Sequence, residues 1–284
     1  MVLVENNFTA SSKKASYFEK DFFNSSGTYI HPTAQIGSQV SLGPGVKVGP
    51  FCVITGNTTI GAGTRLLAHV TIGYPAQVLG IKESLGVISI GENCEFREFS
   101  TVHASRQTDG KTVIGNNCYL MTYCHVGHDC FLEDNVTLTN NTNLGGHTHV
   151  EKNVRLMAYT ATHQFCRIGQ YTALAPFSGI RQDLPPFGLF TGQPAAFAGL
   201  NVIGLRRAAF SRESINNLKH VAKLFYQDKL PLEQITHAAA HEQTWGSDEH
   251  VQCFLRALTQ SSRGVSRRAL SDQPYADADT ENIL

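Results

Sequence analysis

Twelve histidines occur in this 284-residue chain, and four of them, His125, His128, His147 and His163, fall into one pattern. Val126, Leu144 and Thr162 are evenly spaced, and the four histidines stand at offsets of −1, +2, +3 and +1 from them. If the interval between these reference positions makes one coil of a stacked structure, they lie one above another at about 4.8 Å. The histidines then gather at one edge of three successive coils, beside Asp129 and Gln164. An imidazole with an ordinary pKa near 6.5 is free to take a proton at cellular pH. The chemistry this cluster suits is therefore proton transfer, with a neutral imidazole as general base.

Such a cluster needs a scaffold that returns the chain to the same place at that interval, and the hydrophobic pattern supplies one. From Ile30 to Ile180 every sixth residue is aliphatic or Phe, with Ser84, Thr108 and Thr162 as the exceptions. Three such repeats fill the interval from Val126 to Leu144. Neither a helix nor a simple strand has this period. A triangular solenoid does, with three short strands per coil and one apolar side chain pointing inward from each face. The expected fold is mainly β: a left-handed parallel β-helix of hexapeptide repeats with a small C-terminal α-helical domain. Ser84 and Thr108 sit in the turn-rich stretches GYPAQVLGIKESLG and HASRQTDGK, read as loops that leave the prism and return in phase. Loops on a rigid scaffold are where binding groups concentrate.

Six of the seven cysteines, Cys52, Cys94, Cys118, Cys124, Cys130 and Cys166, fall four residues after a register position. Elsewhere that slot holds small residues such as Thr58, Ser100 and Val136. These thiols are read as core packing rather than ligands or redox groups. Cys253 alone lies outside the pattern and supports no disulfide framework.

The formal net charge is zero, which argues against nucleic acid as the principal partner. No segment is apolar enough to span a membrane. The first residues lack an apolar signal core, so a cytoplasmic location is expected. Residues 1–29 read as an N-terminal extension, with a short amphipathic turn around Tyr17, Phe18, Phe22 and Phe23. The β-helix is assigned to 30–200, a helical domain to 201–263 and a polar tail to 264–284. Within the helical domain, Ile215, Leu218, Val221, Ala222, Leu224 and Phe225 share a face of a helix opened by Ser211 or Ser214. A second helix begins at Pro231 and a third covers Val251 to Leu258. Arg206, Arg207, Arg212, Lys219 and Lys223 make the junction locally basic, a surface suited to an acidic partner.

The segments CHVGHDC (124–130), LGGHTH (144–149), THQFCRIG (162–169), QDLPPF (182–187) and NVIGLRRAAFSRE (201–213) occur in this order, with a Ser-Ser-Arg-Gly at 261–264. Together they resemble the bacterial UDP-N-acetylglucosamine O-acyltransferases, which start lipid A synthesis. The resemblance covers roughly 30–263. It implies that His128 is the general base on the acceptor hydroxyl and Asp129 its orienting carboxylate. It further implies that the Gly146 amide serves the oxyanion formed when the hydroxyl attacks an acyl thioester on acyl carrier protein. Gln77, His125, His147, His163, Gln164, Asn201 and Arg207 match substrate-lining positions. The resemblance also implies a homotrimer with sites between subunits, and neither cofactor nor metal is expected. His125 and His128 lack the five-residue spacing of zinc-binding hexapeptide enzymes.

The chain also departs from that family. Val78 and Gly80 stand where an acidic residue and a lysine normally follow the glutamine matched by Gln77, and both usually help hold the acceptor sugar. Pro176 and Pro194 occupy positions that set acyl-chain length in relatives. An alternative therefore stays open: an N-acyltransferase or N-acetyltransferase on a nucleotide-linked amino sugar, using a carrier-protein or CoA thioester. A non-catalytic solenoid is disfavoured by the intact histidine set.

Overall fold

The computed structural model describes residues 22, 27–83 and 85–266. Expectations for Tyr17, Phe18, Phe23, Ser84 and the tail from 267 lie outside the described residues. Phe22 is fully buried and meets the Tyr29 ring edge-on, 6.1 Å between centroids.

The six-residue register becomes a three-sided prism because the inward register residues sit in successive short strands, most of them at the strand's last position. Lys47–Val48 lies in a first sheet, Val53–Ile54 in a second and Asn57–Ile60 in a third, and the next strand returns to the first. Arg65 and Leu66 then pair in parallel with Lys47 and Val48, one coil later. Repetition gives sheets of ten, eight and seven strands among the described residues. The inward apolar register residues, from Val48 through Val126 and Leu144 to Ile180, are at most 2% exposed. Ile30, on the first coil, is exposed because no described coil covers it. Val78 satisfies the register only in sequence, since it lies in the first loop.

The six repeat cysteines are buried as expected. Their thiols also serve the interior's polarity: Cys52 donates to the Leu67 carbonyl (2.7 Å), Cys124 to Thr139 (3.1 Å) and Cys130 to Gly145 (3.2 Å). Thr162, polar in an apolar register, is buried with its hydroxyl accepting from the Gly145 amide and paired with Thr148 Oγ1 at 2.8 Å. The irregular position is thus a hydrogen-bonded one, and it fastens the turn that carries Gly146 and His147.

The three corners differ in what they place in the left-handed region, which Asn, Asp and His enter most cheaply after glycine. Between the third and first sheets it is mainly Asn, at Asn93, Asn117, Asn135 and Asn153. Between the first and second it is mostly aromatic: Phe51, His69, Phe99 and Tyr123 stack at 4.8–5.0 Å, and Tyr159 stacks on Phe177. Between the second and third it is Asp129, His147 and Phe165. Both loops, residues 75–86 and 104–110, emerge at this last corner as well.

At the far end Gly188–Thr191 joins the first sheet in parallel, and Ala196–Leu200 folds back on it antiparallel. This hairpin was not visible in the repeat pattern, which ends at Ile180. Four helices follow among the described residues: α1 (Val202–Arg207), α2 (Arg212–Tyr226), α3 (Leu232–His241) and α4 (Glu249–Thr259). Ser211, not Ser214, caps α2 by accepting from the Ser214 amide. Asp248 caps α4 and accepts from Ser214 and Asn217, tying α4 to α2. α1 is too short to announce itself by periodicity. Residues 264–266, placed by sequence in the tail, return to the solenoid: Asp183 N donates to Gly264 O, and the buried Ser266 hydroxyl donates to Ala195 O. Buried Asp183 secures this return by accepting from Ser261 Oγ (2.6 Å) and the Arg167 amide (2.8 Å).

Candidate active site

The turn after His125–Val126 brings the expected base and carboxylate together. Cys130 must point inward, which leaves His128 and Asp129 to form the corner, with Asp129 at φ 60°. Asp129 Oδ2 lies 2.8 Å from His128 Nδ1. Asp129 is also fixed from behind: its backbone N–H donates to Thr112 Oγ1 (2.9 Å), and the Arg106 amide approaches its carboxylate Oδ2 at 3.4 Å. Burial alone would raise the Asp129 pKa. Hydrogen bonds from Ser105, His128 and the Arg106 amide outweigh it and hold the carboxyl below its usual range. An ionised Asp129 keeps the proton on Nδ1 of His128 and leaves Nε2 as the basic nitrogen.

That nitrogen faces Gly146. A Cβ built on Gly146 would lie 2.5 Å from both Nε2 and Cε1 of His128, so this approach is open only to glycine. The buried Gly146 amide donates to no acceptor among the described residues. A proton acceptor and a free backbone donor therefore share one small space. Base and oxyanion donor at such proximity are what addition of an alcohol to a carbonyl requires.

His147 completes this corner. Its ring stands edge-on to His128, 5.1 Å between centroids, and stacks on Phe165 at 4.4 Å. His147 Nε2 is 3.6 Å from Asp129 Oδ2 and makes no hydrogen bond among the described residues. Burial holds its pKa down. His125 accepts or donates at Nδ1 to Thr101 Oγ1 (2.9 Å), and burial, reinforced by neighbouring His103 and His128, lowers its pKa to about 4. His103 itself was not singled out by the sequence. It is buried one coil below His125, with rings 5.1 Å apart.

His128, Asp129 and His147 each bring one donor atom within 4.8 Å of the others. The 2.8 Å separation of His128 Nδ1 and Asp129 Oδ2 is that of a hydrogen bond, whereas two ligands on a tetrahedral zinc stand about 3.3 Å apart. The arrangement fits proton handling.

The remaining expected residues are more dispersed. Gln77 is exposed on the first loop, and Gln164 is exposed beside His163. His163 is exposed and is met at Nδ1 by Arg263 Nη2 (3.2 Å), a contact from the returning C-terminal segment. Asn201 is engaged on both sides: Nδ2 donates to Tyr171 O and Oδ1 accepts from the Gly204 amide, capping α1. Arg207 ends α1 exposed. Tyr171 belongs to the corner between the third and first sheets, and no described contact joins Asn201 or Arg207 to the histidines.

Comparison with known proteins bears on both halves of the chain. Residues 40–74 match the bacterial transferase hexapeptide (six repeats) model, and residues 183–266 match domain 2 of the UDP-N-acetylglucosamine O-acyltransferases. The acyl-[acyl-carrier-protein]–UDP-N-acetylglucosamine O-acyltransferase of Thermodesulfovibrio yellowstonii is 41% identical over 224 residues, covering 72% of this chain and 87% of the relative. That of Bartonella bacilliformis is 44% identical over 228 residues, 74% of this chain and 83% of its own. The chain belongs to the UDP-N-acetylglucosamine O-acyltransferase family. The UDP-N-acetylglucosamine acyltransferase from Francisella novicida superposes with a TM-score of 0.76 at 27% identity, covering 86% of this chain and 95% of that one. The Arabidopsis UDP-N-acetylglucosamine acyltransferase superposes at 0.70 with 29% identity, covering 83% and 99%. The prism is accordingly the left-handed β-helix of these O-acyltransferases, and the protein is an enzyme of acyl transfer. No helix among the described residues is long and apolar enough to cross a membrane.

Proposed function

We propose that the protein transfers an acyl chain, of the 3-hydroxyacyl class, from acyl carrier protein to the 3-hydroxyl of a UDP-N-acetylglucosamine-like sugar, in lipid A biosynthesis. The observation that carries the site is His128, held by Asp129 at 2.8 Å with its Nε2 against Gly146, whose amide meets no acceptor among the described residues. In this reading Nε2 removes the hydroxyl proton as the oxygen attacks the thioester carbon. The carbonyl oxygen, now negative, accepts from the Gly146 N–H. Collapse of the tetrahedral centre breaks the carbon–sulfur bond, and His128 returns the proton to the departing thiolate. Asp129 stabilises the imidazolium in between.

His125 and His147, both depressed in pKa, act as neutral hydrogen-bonding groups on the sugar, with Gln77, His163 and Gln164 around them. Asn201 and Arg207 lie away from the histidines of their own chain, which supports a trimer in which a neighbour's α1 completes each site. The basic stripe of α2 (Arg212, Lys219 and Lys223, at spacings of 7 and 4) suits an acidic carrier protein. The reading places the enzyme in the cytoplasm with its donor and acceptor.

The test is turnover by the purified protein against UDP-sugars bearing a 3-hydroxyl or a 3-amino group, each with carrier-protein and CoA thioesters. Carrier-dependent transfer to the hydroxyl supports the proposal. Preference for the amine would replace it with N-acylation, as the uncharged Val78 and Gly80 allow. His128→Ala should lower kcat by roughly 10²–10⁴-fold with the melting temperature retained. Activity within a few-fold of wild type would remove His128 from the mechanism.

A further inference from the structure

The strand Thr101–His103 is irregular where it enters the site. Thr101 and Val102 pair in register with Thr71 and Ile72, but His103 pairs with Tyr74, leaving Gly73 as an extra residue on the neighbouring strand. Gly73 has φ +97°, and a Cβ there would fall 2.0 Å from the Thr55 carbonyl oxygen. Bulges bend a strand and re-aim a side chain, and they recur beside active sites. The side chain re-aimed here is His103.

Three contacts show what His103 joins. Its Nδ1 is 2.7 Å from the Pro75 carbonyl oxygen. A carbonyl only accepts, so Nδ1 carries the proton and donates. Pro75 opens the first loop, two residues before Gln77, and the Ala104 amide adds a bond to Tyr74 O at 3.0 Å. On the opposite side the ring stands edge-on to His125. The His103 main-chain carbonyl accepts from the fully buried Thr112 hydroxyl (2.9 Å), and the same hydroxyl accepts from the Asp129 amide (2.9 Å). One residue thus reaches the loop of Gln77 through its side chain and the support of Asp129 through its backbone.

We propose that His103 is a positioning residue: its Nδ1–H latches the root of the Gln77 loop onto the strand that supports Asp129, so that the acceptor sugar and the base are held in register. This rests on the reading of Gln77 as an acceptor contact. A histidine needed only for packing would be replaceable by any side chain of similar size. A latch needs a donor at the Nδ1 position. Asparagine places its amide nitrogen close to that position, whereas glutamine carries it to where Nε2 lies and leucine carries none.

The experiment compares His103→Asn, His103→Gln and His103→Leu in the full-length protein by two measurements. The first is steady-state kinetics with acceptor and donor varied separately. The Gln and Leu variants should raise KM for the acceptor about tenfold, the weight of one net hydrogen bond, with donor KM and kcat within about threefold. The Asn variant should stay near wild type. The second is amide hydrogen exchange over residues 73–83 of the free protein, about tenfold faster in Gln and Leu and unchanged in Asn. Exchange needs no substrate, so a wild-type protein that turns over no UDP-sugar would sink the functional reading while the latch is still measured. Equal exchange in all four proteins, or an Asn variant as impaired as Leu, would overturn the latch. So would kinetic losses that fall equally on both substrates and track the melting temperature.

Discussion

Replacing Gly146 by Ala probes the centre of the site with a single methyl group. The added Cβ would stand 2.5 Å from Nε2 and Cε1 of His128 and 3.1 Å from Cδ2. Ordinary contact begins near 3.4 Å, so the imidazole has to retreat by about 0.9 Å. Nδ1 anchors the ring to Asp129 Oδ2 at 2.8 Å, and that bond must stretch as the ring moves. Overpacking of this kind costs about 1–3 kcal/mol. A misplacement near 1 Å between reacting groups lowers the rate on the order of 10²-fold. The assay is kcat for Gly146→Ala beside its unfolding free energy in urea, with both repeated in a His128→Ala background. Without an imidazole to displace, the methyl should cost little stability, and the double-mutant cycle should show coupling above about 1 kcal/mol. A kcat within threefold of wild type, or the same stability loss in both backgrounds, would refute the placement of Nε2 against Gly146.

Asp129→Asn should lower kcat by roughly 10²–10⁴-fold with KM little changed, because an amide no longer secures the Nδ1–H tautomer or stabilises the imidazolium; a loss confined to KM would contradict this. His125 titrates near 4 when folded against about 6.5 unfolded, so the unfolded chain binds the extra proton between those values. Its contribution to stability is complete above pH 6.5 and declines by up to ~3 kcal/mol as pH falls to 4; chemical denaturation of wild type and His125→Asn across that window should show a shallower slope in the variant. All six repeat cysteines are buried out of reach of a reagent, and burial raises the thiols of Cys52, Cys124 and Cys166 to about 11 and Cys130 to about 12, so an aromatic disulfide at pH 8 should titrate at most Cys253 in the native protein and all seven thiols after denaturation. Rapid loss of several thiols with loss of activity would reverse that reading. Charge reversal at Arg212, Lys219 and Lys223 should raise KM for acylated carrier protein at least fivefold with kcat retained, and the wild-type KM should rise with salt between about 0.05 and 0.3 M.

The prism could be read from the sequence because a six-residue period assigns one inward residue to each face, and Ile54, Val126 and Leu144 obey it without help from distant contacts. The pair His128 and Asp129 was legible for the same reason, since folding the sequence three repeats at a time superposes the coils. His103 was hidden by that very operation. Val102 and Val126 pair in adjacent strands but stand four repeats apart rather than three, because the loop at 104–110 lengthens that coil. Excising the loop first would have put His103 in one row with His163. The bond from the Asp129 amide to Thr112 Oγ1 and the one from the Arg106 amide to the Asp129 carboxylate depend on how loops close, which no period encodes. Asn201 shows the opposite case: a motif marked it for ligand contact, while the fold also uses it as a helix cap.

The hairpin at the end of the first sheet bears on how copies of this molecule meet. A stack of parallel coils is a template that any similar coil could extend, and its open ends invite linear polymers. Ala196–Leu200 runs against the direction of every strand before it on that sheet. A second molecule offering its first coil in the direction of the stack would meet this strand antiparallel rather than parallel, and α2 packs beside it. The hairpin thus interrupts the parallel register on that sheet, so the first coil of another copy cannot continue the stack there in the same way.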